Sequence, residues 1–143
     1  MKKIVIMTHA LMAHGMKETA EFLAGDTGIC SVCCFTEEPD PDGCLDRLLA
    51  ETAQEDTLIV MTDLCGGSVN QKAGKRIGKE KFYLISGINL PLLLELVTAA
   101  EEEITPEFIR TAVGEAQKEI VFVNDMLEDF TPLEDDDFFE EER

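Results

Sequence analysis

The segment that most limits the fold of this chain is a short apolar run, Thr-Leu-Ile-Val-Met-Thr, at residues 57–62. Only the threonines at its two ends carry polar groups, and Asp63 follows it directly. Strands with one solvated face alternate apolar and polar residues, whereas strands covered by helices on both faces are apolar throughout. The run therefore predicts a central parallel strand in a sheet with helices on both sides.

Other strand-like and helix-like segments alternate along the chain. Runs of β-branched or apolar residues predict strands at 2–7, 29–35, 82–86 and, last, 119–123. Apolar residues at helical spacing, or helix start signals, predict helices at 12–23, around 45–52, at 68–77, at 90–100 and from Thr105-Pro106 onward. This alternation predicts an α/β fold with a doubly wound, mostly parallel sheet in the order 2-1-3-4, flanked by helices.

Length and hydrophobicity predict a single domain. The chain has 143 residues, of which 45% are hydrophobic, which is enough for one buried core and too few for two ordinary domains. We place this domain at residues 1–125 and an acidic C-terminal tail at residues 126–143. Most of the tail's charge follows residue 133, in an acidic run that repels itself and predicts a solvated segment.

The net charge excludes several kinds of partner. The formal charge is −18, from 30 acidic and 12 basic residues. Nucleic-acid binding needs clustered lysine and arginine side chains to contact phosphates, so we expect no nucleic-acid partner. No apolar run approaches the roughly 18–20 residues of a membrane span, and no export signal opens the sequence. The sequence therefore predicts a cytoplasmic protein.

The cysteines predict reduced thiols and no metal site. Their number is odd, and they are Cys30, Cys33, Cys34, Cys44 and Cys65. The first three lie in a predicted strand, and no second pair of cysteines or histidines follows at zinc-finger spacing. No dinucleotide fingerprint is present either, so we expect neither a metal nor a cofactor.

Polar residues at two strand ends predict the functional site. Thr8-His9 closes the first strand and Asp63 closes the third, and the order 2-1-3-4 makes these strands neighbours. Ligands of open α/β sheets bind at the carboxyl ends of the strands where the winding reverses. A carboxylate that accepts the proton of one imidazole nitrogen leaves the other nitrogen as a nucleophile. His14 lies inside a predicted helix, and we interpret it as a surface or packing residue.

A glycine-rich turn follows Asp63. Gly66 and Gly67 leave backbone amides unobstructed by a Cβ atom, and Ser68 adds a hydroxyl at the predicted start of a helix, where it also suits an N-cap. Such a turn binds anions. The sequence therefore predicts that His9 carries a phosphoryl group, with Asp63 as its partner and Gly66, Gly67 and Ser68 as phosphate-binding residues.

Three motifs in order resemble one family. They are Ile4-Val5-Ile6-Met7-Thr8-His9, Asp63-Leu64-Cys65-Gly66-Gly67-Ser68 and Ser86-Gly87-Ile88-Asn89-Leu90-Pro91. Together they are similar to the mannose-family enzyme IIA component of the bacterial phosphoenolpyruvate-dependent sugar phosphotransferase system. Ala10 departs from the pattern, because the family commonly has glycine after the histidine.

The resemblance implies a homodimeric phosphotransferase that forms a phosphohistidine intermediate. It would accept phosphate from phospho-HPr on His9 and pass it to an enzyme IIB partner during sugar uptake, meeting the membrane only through the IIC/IID permease. Asp63 would orient the imidazole, Thr8 would border it within the phosphate-binding set, and the segment after Gly87 would shape the pocket. The last strand, at residues 119–123, would be antiparallel and exchanged between subunits.

Two other functions share parts of this pattern. One is the phosphotransferase subunit that feeds dihydroxyacetone kinase, which has a histidine at the same strand end. The other is a receiver-like signalling module phosphorylated on Asp63. Receivers also need paired acids after the first strand and a lysine after a later strand, and this chain has Thr8-His9 and Ser86 there.

Overall fold

The computed structural model describes residues 1–128, in which strands and helices alternate as the sequence predicts. No helix in this part of the chain is long and apolar enough to cross a membrane. The elements are β1 (Lys2–His9), α1 (Met12–Ala24), β2 (Cys30–Cys34), α2 (Pro41–Glu51), β3 (Thr57–Thr62), α3 (Ser68–Gly74), β4 (Tyr83–Ser86), α4 (Leu90–Thr98), a 3-10 turn (Glu101–Glu103), α5 (Pro106–Gln117) and α6 (Val123–Glu128).

The four strands form one parallel sheet in the order β2-β1-β3-β4, which confirms the predicted fold class and strand order. β1 lies between β2 and β3, so the chain adds its second strand on one side of β1 and its third strand on the other side. Every residue of β3 from Leu58 to Thr62 is buried, as expected for a strand covered on both faces. The carboxyl ends of β1, β2 and β3 therefore meet at one edge of the sheet.

The two faces of the sheet have separate cores. Ile4, Ile6 and Met61 pack on the face covered by α1, α4 and α5. Val5 and Met7, which alternate with them along β1, pack on the face covered by α2 and α3. Each fully buried aliphatic side chain stabilises the fold by about 1.5–3 kcal/mol, so a shift of β1 by one residue is strongly disfavoured.

Three helices begin with the same local chemistry. The side chains of Asp40, Asn89 and Thr105 accept hydrogen bonds from backbone N–H groups in the first turns of α2, α4 and α5. A proline is the first residue of α2 and α5 and the second residue of α4, and in the first turn of a helix it sacrifices no hydrogen bond. The predicted start of the fifth helix at Thr105-Pro106 is confirmed.

The prediction of a strand at residues 119–123 is wrong for the single chain. This stretch is a turn followed by a short irregular segment, and α6 begins at Val123. The side chains of Ile120, Val121 and Phe122 are 77%, 50% and 66% exposed. A strand requires a neighbouring backbone for its hydrogen bonds, and the segment pairs with no strand in the part of the chain described.

The predicted boundary between domain and tail falls within α6. Residues 126–128 of the predicted tail form the end of that helix. Residues 129–143, which include the acidic run, lie outside the described residues.

The asparagine of the third motif links two helices. Asn89 Oδ1 accepts from Leu92 N–H at 3.0 Å, and its amide nitrogen donates to the Ala116 carbonyl at the end of α5, at 2.8 Å. One side chain therefore caps α4 and ties it to α5, whereas Thr105 only caps α5. The motif thus has a structural role in this fold.

We expect Asn89→Ala to cost about 1.5–3 kcal/mol of unfolding free energy, from one cap and one additional hydrogen bond. Thr105→Ala should cost about 1 kcal/mol, because it loses only a cap. Urea unfolding followed by circular dichroism measures both. Equal costs for the two variants would show that the bond to the Ala116 carbonyl contributes nothing.

Candidate active site

The structure brings His9 and Asp63 together at the carboxyl edge of the sheet, as the strand order predicts. His9 ends β1, and Asp63 follows the last residue of the neighbouring strand β3. The imidazole Nδ1 lies 2.9 Å from Asp63 Oδ2, and the backbone N–H of His9 donates to the same oxygen at 2.8 Å. The carboxylate therefore contacts both the backbone and the ring of the histidine.

Asp63 is held on both carboxylate oxygens. Its Oδ1 accepts from the backbone N–H of Leu64 at 2.9 Å, and only 11% of the side chain is exposed. Burial by itself would raise the pKa of Asp63. The hydrogen bonds from the His9 backbone, the His9 ring and the Leu64 backbone outweigh burial and hold the pKa of Asp63 below its usual value. The group is therefore a fixed carboxylate at neutral pH.

These partners assign the tautomer of His9. A carboxylate only accepts hydrogen bonds, so Nδ1 carries the proton and Nε2 carries the lone pair. The Ser68 hydroxyl lies 3.1 Å from Nε2 and is the donor in that contact. The histidine side chain is 40% exposed, so part of the imidazole lies at the protein surface.

The turn before α3 differs from the prediction in one respect. The expectation that Ser68 is the N-cap is wrong, because Gly67 occupies that position and no side chain caps the helix. Ser68 is the first helical residue. Its hydroxyl is therefore directed to His9 instead of the helix backbone.

The two glycines serve the turn in different ways. Gly66 has φ +77°, a conformation that favours glycine. The N–H of Gly67 donates to the Leu64 carbonyl at 3.0 Å, so it serves the turn and not a ligand in this conformation. A Cβ atom on Gly67 would lie 3.1 Å from Leu64 Cβ and 3.6 Å from His9 Cε1. Gly67 therefore contributes space beside the imidazole.

Thr8 supports the site from inside the fold. The residue is fully buried, and its hydroxyl accepts from the backbone N–H of Ala13 in the first turn of α1, at 2.8 Å. This hydroxyl is engaged within the protein, which corrects its placement among the phosphate-binding residues. Thr8 instead fixes α1 against the end of β1.

A comparison with known families settles what kind of protein has this site. The family described as PTS system fructose IIA component, EIIA-man, matches residues 3–113, which is most of the chain. The chain belongs to this family. It is a mannose-family IIA component of the sugar phosphotransferase system, as the three motifs indicated.

Individual relatives agree with the family. The PTS system mannose-specific EIIAB component of Escherichia coli is 29% identical over 104 residues, which are 70% of this chain and 32% of that protein. The chain thus spans about a third of that relative's length.

Solved structures of phosphotransferase system proteins share the fold. A phosphoenolpyruvate-dependent sugar phosphotransferase system permease from Klebsiella pneumoniae is 30% identical, with a TM-score of 0.80 over 88% of this chain and 93% of that chain. The PTS IIA protein associated with the fucose utilization operon of Streptococcus pneumoniae is 26% identical, with a TM-score of 0.76 over 88% and 96%. The mannose/sorbose specific IIA subunit of Enterococcus faecalis, at 21% identity and a TM-score of 0.74 over 94% and 100%, shows the fold alone.

The site of this IIA component argues against phosphorylation of Asp63. Both carboxylate oxygens accept hydrogen bonds from His9 or Leu64, and the side chain is largely buried. An incoming phosphoryl group would have to displace these donors. The exposed edge of the site is formed by the His9 ring.

Other groups singled out in the sequence lie apart from this edge or serve packing. His14 is exposed on α1, with Nε2 3.3 Å from a Glu18 carboxylate oxygen, which confirms it as a surface residue. Cys33 and Cys34 are buried in the two cores, and burial raises the pKa of the Cys34 thiol to about 11. Within residues 1–128, no three His, Cys, Asp or Glu side chains are grouped to hold a metal ion.

One residue near the imidazole was missed by sequence reasoning. The Phe35 ring centroid lies 5.8 Å from that of His9. Phe35 directly follows β2, so the rule that found His9 and Asp63 at strand ends applies equally to it. The signal was the strand end, and it was overlooked because phenylalanine carries no reactive group.

We expect Asp63→Asn to lower the unfolding free energy by about 1–2 kcal/mol at pH 7, because an amide offers one acceptor oxygen where the carboxylate accepts from three N–H groups. The pKa of Asp63 is lowered by folding. The contribution of Asp63 to the unfolding free energy is therefore complete above its pKa in the unfolded chain, about 4, and is lost as pH falls through its pKa in the folded protein.

Urea unfolding between acidic and neutral pH measures this difference. The difference in unfolding free energy between the wild type and Asp63→Asn should become smaller below about pH 4. Glu55→Gln removes an exposed carboxylate and serves as the matched control. A gap that stays constant with pH would show that the charge of Asp63 does not stabilise the fold.

Proposed function

We propose that the chain is a phosphoryl carrier that accepts phosphate from phospho-HPr on His9 and passes it to an enzyme IIB partner during sugar uptake. The observation that supports this most directly is the partly exposed imidazole of His9, with Nδ1 bonded to a fixed carboxylate, in a member of the IIA family. The exchange takes place in the cytoplasm, and the membrane is reached only through the IIC/IID permease.

In this proposal the two catalytic residues have distinct roles. The Nε2 lone pair of His9 attacks the phosphorus atom of the donor phosphohistidine. A P–N bond forms at Nε2 as the P–N bond of the donor breaks, and the donor nitrogen keeps the electron pair. Nδ1 retains its proton throughout, and the carboxylate of Asp63 stabilises the positive charge that develops on the ring. In the onward transfer, His9 is the donor: the P–N bond at Nε2 breaks, and Nε2 keeps the electron pair.

The phosphoryl group would lie between the imidazole and the turn before α3. The Ser68 hydroxyl, 3.1 Å from Nε2, is close enough to turn from the nitrogen to a phosphoryl oxygen once the P–N bond forms. Gly67 leaves room for that group beside the ring, and Gly66 gives the turn its shape. Thr8 takes part only indirectly, because its hydroxyl is engaged with α1.

Labelling with phosphate from phosphoenolpyruvate, enzyme I and HPr tests the proposal. We expect a label that is stable in alkali and lost in acid, as for a phosphohistidine. His9→Ala should abolish it, whereas His14→Ala, the matched control, should retain it. Asp63→Asn should slow labelling at least about tenfold, which corresponds to about 1.4 kcal/mol of transition-state stabilisation.

Other outcomes would identify the alternatives. A label that survives His9→Ala and is lost in alkali would indicate an acyl phosphate and the receiver-like function. Normal labelling of His9 followed by transfer to a dihydroxyacetone kinase subunit, with none to enzyme IIB, would assign the chain to that system.

We also propose that the protein is a homodimer in which the segment at residues 119–123 pairs with the sheet of the second copy. Ile120, Val121 and Phe122 are strand-forming residues that the single chain leaves exposed. Pairing would place their backbone N–H and C=O groups beside a neighbouring strand with which they could form a ladder of hydrogen bonds.

Light scattering measures the oligomeric state. We expect twice the chain mass of 15.9 kDa for the wild type and for Glu55→Gln, a change at an exposed residue outside the paired segment. Ile120→Asp should shift the protein toward the monomer, because a buried charge in the paired segment is costly. A monomeric wild type would contradict the proposal.

A further inference from the structure

The Phe35 ring packs against His9 although the hydrophobic effect does little to hold it there. The two ring centroids are 5.8 Å apart, with an interplanar angle of 39°, which lies in the range of favourable aromatic contacts. The residue is 55% exposed and belongs to neither core. Its position beside the imidazole therefore needs another explanation.

The backbone explains how the ring is directed. Phe35 has φ +68° and Ala10 has φ +51°, and within residues 1–128 these are the two residues other than glycine with positive φ. A bulky residue in this region costs on the order of 1–3 kcal/mol. Both residues adjoin the histidine: Ala10 follows it, and Phe35 follows Cys34, the register partner of His9 in the sheet.

Hydrogen bonds hold the strained turn in place. The N–H of Phe35 donates to the Glu38 carbonyl at 2.9 Å, and the N–H groups of Glu37 and Glu38 both donate to the Cys33 carbonyl at 3.0 Å. The N–H of Ala10 donates to the Cys34 carbonyl at 3.1 Å, which joins the two strained positions. Phe35 cannot relax to an ordinary φ without breaking this turn. Glycine would adopt the same backbone conformation without strain. The presence of phenylalanine at this position is therefore explained by its side chain and not by its backbone.

The chemistry of transfer shows what the side chain does. In the free protein the imidazole is held by Asp63 at Nδ1 and by Ser68 at Nε2. Formation of the P–N bond removes the contact with Ser68, because Nε2 then has no lone pair to accept its proton. Gly67, without a side chain, leaves the nearby Cε1 edge of the ring open. During transfer the ring is then restrained by one hydrogen bond and by Phe35.

We propose that Phe35 is a positioning residue that restrains the rotation of the His9 imidazole, so that Nε2 stays aligned for phosphoryl transfer. This inference rests on the proposed function of His9. An aromatic contact of this kind is worth about 0.5–1.5 kcal/mol, which corresponds to a two- to twelvefold change in the population of the aligned ring. Loss of the ring should slow transfer by that factor.

Phe35→Gly distinguishes the effect of the side chain from that of the backbone conformation, because glycine removes the ring and adopts the same φ without strain. Phosphoramidate serves as a small phosphoryl donor that needs no docking surface. We expect labelling of His9 to be about two- to twelvefold slower in Phe35→Gly with both phosphoramidate and phospho-HPr. Phe35→Tyr should label at the wild-type rate, and so should Phe22→Ala, which alters an exposed phenylalanine on α1. Urea unfolding should show that Phe35→Gly is no less stable than the wild type.

A wild-type rate for Phe35→Gly with phosphoramidate would overturn the inference, and a loss confined to phospho-HPr would assign Phe35 to partner docking instead. NMR of the His9 ring provides a readout that needs no phosphorylation. The Nδ1–H resonance should broaden by exchange in Phe35→Gly and remain sharp in Phe35→Tyr. If the NMR difference is observed but wild-type His9 is not labelled, the proposed function is refuted and the role of Phe35 is not. If wild-type His9 is labelled but Phe35→Gly and Phe35→Tyr give identical spectra, the role of Phe35 is refuted and the proposed function is not.

Discussion

β1 and β3 pair in parallel over six positions, from Lys2 opposite Thr57 to Met7 opposite Thr62. This pairing places the residues that follow, His9 and Asp63, at the same edge of the sheet. The alternating side chains of β1 pack into two different cores, so a slip by one residue would exchange the cores and turn His9 away from Asp63. The stability of the sheet therefore maintains the geometry of the site.

Asp63 has a structural role in the fold, to which the proposed function adds a chemical one. Its carboxylate accepts hydrogen bonds from three N–H groups and thereby links the end of β1 to the turn that leads to α3. The same contacts keep it charged beside the imidazole. Because no cation is among these contacts, the negative charge remains available to stabilise a positive ring. A loss of activity on changing Asp63 has to be interpreted together with the loss of stability.

The errors of sequence reasoning have a common physical origin. Residues 119–123 have the composition of a strand, but a strand exists only where another backbone lies beside it. Ser68 suits an N-cap by residue type, yet Gly67 takes that position and the hydroxyl bonds to His9. Thr8 lies next to His9 in sequence, but its hydroxyl bonds to α1. Local composition does not reveal which of several partners a polar group will choose.

The sequence by itself determined the α/β class, the order of the strands and the pairing of His9 with Asp63. These follow from short-range patterns, namely apolar runs, helix starts and polar strand ends, combined with the few ways in which parallel strands can be connected. The tertiary structure decided which atoms face the imidazole. The contact of Nε2 with the Ser68 hydroxyl and the position of the Phe35 ring depend on backbone angles in turns, where hydrogen bonds to distant residues outweigh local preference.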